Sequence, residues 1–315
     1  MTTPTRLGLF ALGMAAVFGV ALLVGRYLVP DQSDRAATPA DHSAHSGGHA
    51  GMGGDDHAGH GGTAAVAGTS RSADGYALTA VGSPTAVGAP GELRFTVAAP
   101  DGKPLTRFTP AHEKELHLIV VRTDGAHFFH LHPTRAADGT WSIPWQAPAA
   151  GTYRVITDFV PGDRDGDTPV VLGTDVEIGG TFTPVAPEPR RTDTVDGFTA
   201  TLDGDLKPGA AQNLTITVRH GEHPVTLQPY LGARGHLVAL RTGDLAYTHV
   251  HPVDGDTHGD GGGHGDHMAH EEHAGGGAGT VAFSAQPPSS GRYLLYFDFQ
   301  IDGVVRTATF VVDTE

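Results

Sequence analysis

The chain contains no cysteine. Disulfides, thiolate metal sites and a lipid-modified cysteine are therefore excluded, and any bound metal must rely on nitrogen and oxygen ligands. Basic residues are also scarce. Twenty Lys and Arg stand against thirty-five Asp and Glu, a net charge of −15 with histidine neutral. That balance lacks the basic footprint of a nucleic-acid binder and gives a surface that attracts cations. Long helical periods are missing, as is any Gly-x-Ser-x-Gly nucleophile motif or general base beside a nucleophile, so no enzyme is expected. One long apolar run exists, Leu7 to Gly25, "LGLFALGMAAVFGVALLVG". As a helix it would reach ~28 Å, close to the ~30 Å hydrocarbon core. Arg26 and the bulky "RYLV" follow where a cleaved signal would place small residues. Residues 1–30 thus read as an uncleaved single-pass anchor in the cell membrane, with a cleaved signal as the alternative and everything after them outside the cytoplasm.

What the chain has in quantity is glycine (45), proline (22) and histidine (20). Short strands joined by turns follow from the first two. The histidines fall into two groups. Five (His42, His45, His49, His57 and His60) lie in 31–72, a Gly-, Ser- and Asp-rich stretch without apolar period that reads as a disordered tether. Another five (His258, His264, His267, His270 and His273) lie in 254–279, of similar composition. Ten histidines in Gly-rich segments cannot be core. They read as weak multivalent ligands for copper, or for zinc or nickel, with Met52, Met268, Asp55, Asp56, Glu271 and Glu272 as further donors. Low-complexity drift is the alternative for these segments.

Six other histidines sit in a repeat. "HLIVVRT" (117–123) and "HLVALRT" (236–242) are offset by 119 residues, as are "HLHP" (130–133) and "HVHP" (249–252). "GTYRVITDF" (151–159) then matches "GRYLLYFDF" (291–299) at an offset of 140, so repeat two carries 21 extra residues, placed in its His-rich loop. Each repeat offers about seven short strands of β-type patterning. The expected fold is all-β, with two tandem immunoglobulin-like β-sandwiches at 73–181 and 195–315 joined by a Pro-rich linker at 182–194.

In "HLIVVRTDGAHFFHLHP" the Asp-Gly pair signals a two-residue hairpin turn. That register sets His117 opposite His132, with His130 on the same face. The equivalent turn at Gly243–Asp244 sets His236 opposite His251, with His249 beside them. Each hairpin thereby gathers three imidazoles at a spacing that suits one metal ion. The same pattern also suits a strand end whose imidazoles bond to loop backbone, and Ile119, Val121 and Phe128 on that face look like core. His127, matched by Ala246, reads as structural. Arg122/Arg241 and Asp158/Asp298 are matched pairs that suit ion pairs, or an Asp that orients a ligating imidazole. Tyr153 and Tyr293 suit packing or a corner bond, and Trp141 and Trp145 suit core.

"KELHLIVVRTDGAHFFHLHP" and "PYLGARGHLVALRTGDLAYTHVHP" carry a resemblance to bacterial membrane-anchored, His-rich exported proteins with tandem YtkA-like sandwich domains. The resemblance covers about 74–315 and implies extracytoplasmic handling of a metal, copper first; the partner expected for such a role is a membrane metal transporter or oxidase. A more distant likeness to small periplasmic copper-carrier sandwiches breaks down at the N-terminus, because an anchored chain cannot use its terminal amine as ligand. The reading carried forward is a membrane-anchored metal-binding protein. Its rival is a structural or interaction module that docks a membrane partner.

Overall fold

The computed structural model describes residues 66–248, 250–253 and 279–314, without the side chain of His251. The anchor at 1–30, the tether histidines, the loop histidines and His249 lie outside the described residues. Every described element is a strand.

Sandwich one has an outer sheet of Ser72–Ala73, Tyr76–Gly82, Gly91–Ala98, Thr140–Trp145 and Thr134–Arg135, in that order. Its inner sheet runs Val170–Ile178, Gly151–Pro161, His117–Arg122 and Phe129–Leu131. Sandwich two repeats the plan. Its outer sheet is Thr192–Val195, Phe198–Asp203, Gln212–His220, Thr280–Ala285 and Val250–Pro252. Its inner sheet is Tyr247–Thr248, His236–Arg241, Arg292–Ile301 and Val304–Asp313. This is the expected pair of tandem immunoglobulin-like sandwiches.

Residue patterning explains which sheets are inner. "GELRFTVA" and "QNLTITVRH" alternate buried and less buried positions, as strands with one wet face do. "HLIVVR" and "HLVALR" are buried almost throughout, so both of their faces must meet protein. One face fills each sandwich's own core. Leu118, Val120, Tyr153 and Val155 pack with Phe95, Val97 and Trp141 in sandwich one. Leu237, Ala239, Tyr293 and Phe297 pack with Ile216 and Phe283 in sandwich two. The other face makes a third core between the sandwiches, from Ile119, Val121 and Ile156 on one side and Val238, Leu240, Leu294, Tyr296 and Val311 on the other. The apolar neighbours of the hairpin histidines, Ile119, Val121 and Phe128, thus belong to this junction and not to a sandwich interior.

The junction is close. Phe128 stacks on Tyr296 at 3.9 Å between centroids and 6° between planes, and Tyr296 OH donates to Gly125 O at 2.6 Å. Gly125, at φ 86°, has no room for a Cβ because Leu294 lies against it. The linker is bound as well. Val185 N donates to Asp124 at 2.8 Å, and Arg190 forms a backbone bridge with Val311. The expected tether boundary at residue 72 is too late. Tyr247 N donates to Ala67 O, Gly68 N to Val171 O and Gly173 N to Ser70 O, so 66–72 belong to the fold. Gly279, at the far edge of the His-rich loop, is likewise buried in sandwich two, where Val218 N donates to its carbonyl.

The matched residues sort as follows. Tyr153 and Tyr293 make equivalent corner bonds, donating to Ala149 O at 3.0 Å and Ser289 O at 2.9 Å. Trp141 and Trp145 are core. Arg122 pairs with Asp124 at 2.7 Å and Arg241 pairs with Asp244, within their own turns. Asp158 and Asp298 are left for the junction.

Candidate functional site

The site begins with a turn. Ala111 and Lys114 bond to each other through both backbone groups, with His112 and Glu113 at φ 49° and 63° between them. This turn aims Ala111 O at His117, whose Nε2 lies 3.0 Å away. Sandwich two builds the same turn from Tyr230, Leu231, Gly232 and Ala233, and Tyr230 O lies 2.8 Å from His236 Nε2. A carbonyl only accepts, so in both rings Nε2 carries the proton and Nδ1 is left with a bare lone pair while the ring is neutral.

The hairpin reaches the expected register by a different route. Gly125 N donates to Arg122 O and Arg122 N to Ala126 O, a three-residue loop in place of a two-residue Asp124–Gly125 turn. That loop alone would slip the pairing by one residue. His127, at φ 54°, is a bulge that restores it, giving Leu118↔Leu131, Ile119↔His130 and Val120↔Phe129. His130 and His132 therefore share a face with His117.

The result is a cluster in which one ring nitrogen each from His117, His130 and His132 lies within 4.8 Å of the others. His117 Nδ1 is 3.1 Å from His130 Nε2 and 3.2 Å from His132 Nε2. The far nitrogen of His130, Nδ1, is 2.8 Å from Asp298 Oδ2, a carboxylate of the other sandwich. Those two side chains are 6% and 4% exposed. Thr307 Oγ1 donates to the second Asp298 oxygen at 2.6 Å. Asp298 thus fixes the proton of His130 on Nδ1 and directs Nε2 inward. On the opposite side, Tyr247 OH of sandwich two donates to Asp158 Oδ2 of sandwich one at 2.8 Å.

Proton counting makes the cluster informative. His117 Nδ1 presents one lone pair to two nitrogens, and His130 Nε2 is itself bare when its ring is neutral. One cation among the three nitrogens would satisfy these lone pairs together, whereas a neutral His132 donating from Nε2 satisfies only that of His117. Ligands at ~2.0–2.1 Å in tetrahedral array stand ~3.3–3.4 Å apart, close to the two separations measured from His117 Nδ1. Burial, then the neighbouring His130, pushes the pKa of His117 down to about 4. Burial, then His130 and His117, pushes His132 to about 2. Burial pushes His236 to about 4, against the opposing pull of Tyr230 O. These three rings are neutral at pH 7, the form that ligates metal.

An acid-stability profile follows. An unfolded chain takes protons on histidine near pH 6.5, whereas these rings stay neutral in the fold until about pH 4 or below. Between those values the unfolded state binds more protons, so stability falls as pH falls through about 6.5 toward about 4. Urea midpoints of the metal-free protein at pH 7, 5.5 and 4.5 should drop in that order. A flat series would mean that the rings protonate in place.

Sandwich two departs from the expected symmetry. Its hairpin keeps the register Ala239↔Thr248 and Leu240↔Tyr247. The chain then crosses to the outer sheet, where His251 pairs with Ser284 and not with His236. In sandwich one the return strand Thr134–Arg135 is held by a tight turn, with Ala136 and Thr140 bonded, before Thr140–Trp145. The His-rich insertion occupies that place in sandwich two, and the pairing with the outer sheet begins earlier. His236 instead lies beside sandwich one, its ring 5.4 Å from His112 and 6.2 Å from His130. His112 went unnoticed in the sequence because its repeat counterpart is Leu231. The Asp298–His130 contact crosses between repeats, which no single-repeat pattern signals.

The chain belongs to the family described as "Domain of unknown function (DUF8832)", whose model matches residues 71–175 and 193–315. No curated protein matches the chain. Among solved structures it is similar to the Yersinia pseudotuberculosis adhesin InvE, at 13% identity over 75% of this chain and 58% of that one, with TM-score 0.20. It is also similar to Salmonella alpha-2-macroglobulin reacted with methylamine, at 14% identity over 80% and 15% of the two chains, with TM-score 0.24. A putative membrane anchored protein from Corynebacterium diphtheriae matches at 10% identity over 77% and 57%, with TM-score 0.22. The chain spans well under two thirds of each of these, and scores this low carry no functional argument.

Proposed function

We propose that this protein is a membrane-anchored, extracytoplasmic metal-binding protein without catalytic activity, which buffers or hands on copper, or zinc or nickel. The observation that supports it most is the convergence of His117 Nδ1, His130 Nε2 and His132 Nε2, whose lone pairs one cation would satisfy together. Neutral imidazole suits these metals, and intrinsic affinity favours Cu²⁺. The His-rich segments 31–72 and 254–279 act in this reading as outer, weaker sites, and a membrane transporter or oxidase is the recipient. The YtkA-like resemblance agrees with that role.

The test uses the full-length chain with Ser at the ten tether and loop histidines, hereafter the ten-Ser chain. It should still bind Cu²⁺ or Zn²⁺ and gain thermal stability from it. A ten-Ser chain that binds neither would sink the reading. Asp298→Asn should lower the affinity by roughly 10–100-fold without removing a ligand, as loss of an outer carboxylate does. Unchanged affinity would mean that Asp298 serves only the junction.

The rival reading is an interaction module that docks a membrane partner. A partner retained in the presence of chelator would favour it.

A further inference from the structure

His236 is the repeat counterpart of His117, and the three-histidine cluster leaves it unused. It is 9% exposed, so nine-tenths of it is buried. Its Nε2–H is spent on Tyr230 O, which leaves the lone pair of Nδ1 as the ligating position of the ring. The ring lines a cavity of ≈ 50 Å³ together with His112, His117, His130 and Asp158. That volume holds a water or an ion.

His112 provides the second ligand type at the right spacing. Its ring centroid lies 5.4 Å from that of His236, with planes at 83°. Within the triad the ring centroids are 5.3, 5.1 and 4.8 Å apart. Two imidazoles on one tetrahedral ion at ~2.0–2.1 Å place their centroids about 5 Å apart. His112 is farther from His117, at 6.1 Å. The backbone also holds His112 where it rests uneasily. His112 and Glu113 occupy consecutive left-handed positions, which sandwich two fills with Leu231 and Gly232. Non-glycine residues in that region carry strain, and such strain gathers at functional positions.

We propose a second cation position between His112 of sandwich one and His236 Nδ1 of sandwich two, beside the triad and distinct from it. Its ligand class is an imidazole-preferring divalent ion. Water completes the coordination, and the Asp158 carboxylate lining the same cavity adds a negative charge beside the ion. His112 is exposed and also lines an outer crevice of ≈ 230 Å³ with Lys114, Glu115 and His117, so this position borders solvent on its His112 side. An ion here would tie the two sandwiches together. The inference shares with the proposed function only the class of ion, and its ligands are different residues.

The test is Cu²⁺ titration of the ten-Ser chain, with stoichiometry and the electron paramagnetic resonance spectrum as readouts and Cu²⁺ alone as probe. Two ions per chain are expected, broadened by their mutual dipolar coupling. His112→Ala, at an exposed site and with its thermal midpoint checked, should bind one ion with a narrow spectrum. His132→Ala should also retain one ion, at the other position. One ion in both parent and His112→Ala would overturn the second position and leave the triad standing. Two ions in both would overturn it as well. A parent that binds none would remove both readings together.

Discussion

His132→Ala should abolish the metal response of the triad while leaving the apo fold intact. Among the described residues the His132 ring has one hydrogen-bond partner, His117 Nδ1 at 3.2 Å, and no backbone group there bonds to it. Removing it takes one donor from His117 Nδ1, a cost of about 1 kcal/mol, and breaks no backbone hydrogen bond. The metal-free thermal midpoint should therefore stay near that of the parent. A metal at a hundred times its Kd stabilises the parent by about 2.7 kcal/mol. With one of three ligands gone, affinity should fall by at least about 100-fold, more than an outer-sphere change costs, and the triad's share of that stabilisation should vanish. Calorimetry of the ten-Ser chain with and without the substitution checks both parts. Unfolding of His132→Ala without metal would instead mark these histidines as hydrogen-bonded core.

Tyr296→Ala should cost about 3–5 kcal/mol, the range for deleting a buried large aromatic. Tyr296 is 1% exposed, stacks on Phe128 and donates to Gly125 O, so it joins the two sandwiches at the heart of the third core. The same substitution should weaken metal binding, because His130 is aimed by Asp298 from across that junction. Urea unfolding and Cu²⁺ titration measure the two effects. A loss under about 1 kcal/mol would mean that the sandwiches are independent units and that the junction contributes little.

Much of this was legible in the chain. The repeat gave the tandem sandwich, and the two-residue period of strands gave the facing of His117, His130 and His132. The turn did not follow from Asp-Gly alone. The same dipeptide serves a three-residue loop, and nothing in the sequence marks His127 as the bulge that repairs the register. The inner sheets carried a signal in "HLIVVR", "YRVITDF" and "HLVALR", whose apolar runs lack the alternation of a strand with one wet face. That pattern says that a second covered face exists but does not say what covers it. The pairing of His130 with Asp298 and the approach of His112 to His236 therefore had no local signature. The early crossing of Val250–Pro252 was hidden because repeat alignment assumes that matched residues keep matched partners, and the insertion after them changes the pairing.

The central claim is that one metal ion sits among three named nitrogens. Anomalous scattering at the copper edge, from crystals of the ten-Ser chain grown with saturating Cu²⁺, tests it most directly. The account predicts a peak ~2.0–2.1 Å from His117 Nδ1, His130 Nε2 and His132 Nε2, with His130 Nδ1 still on Asp298. Those three nitrogens at their present spacing, with no peak between them, would contradict it.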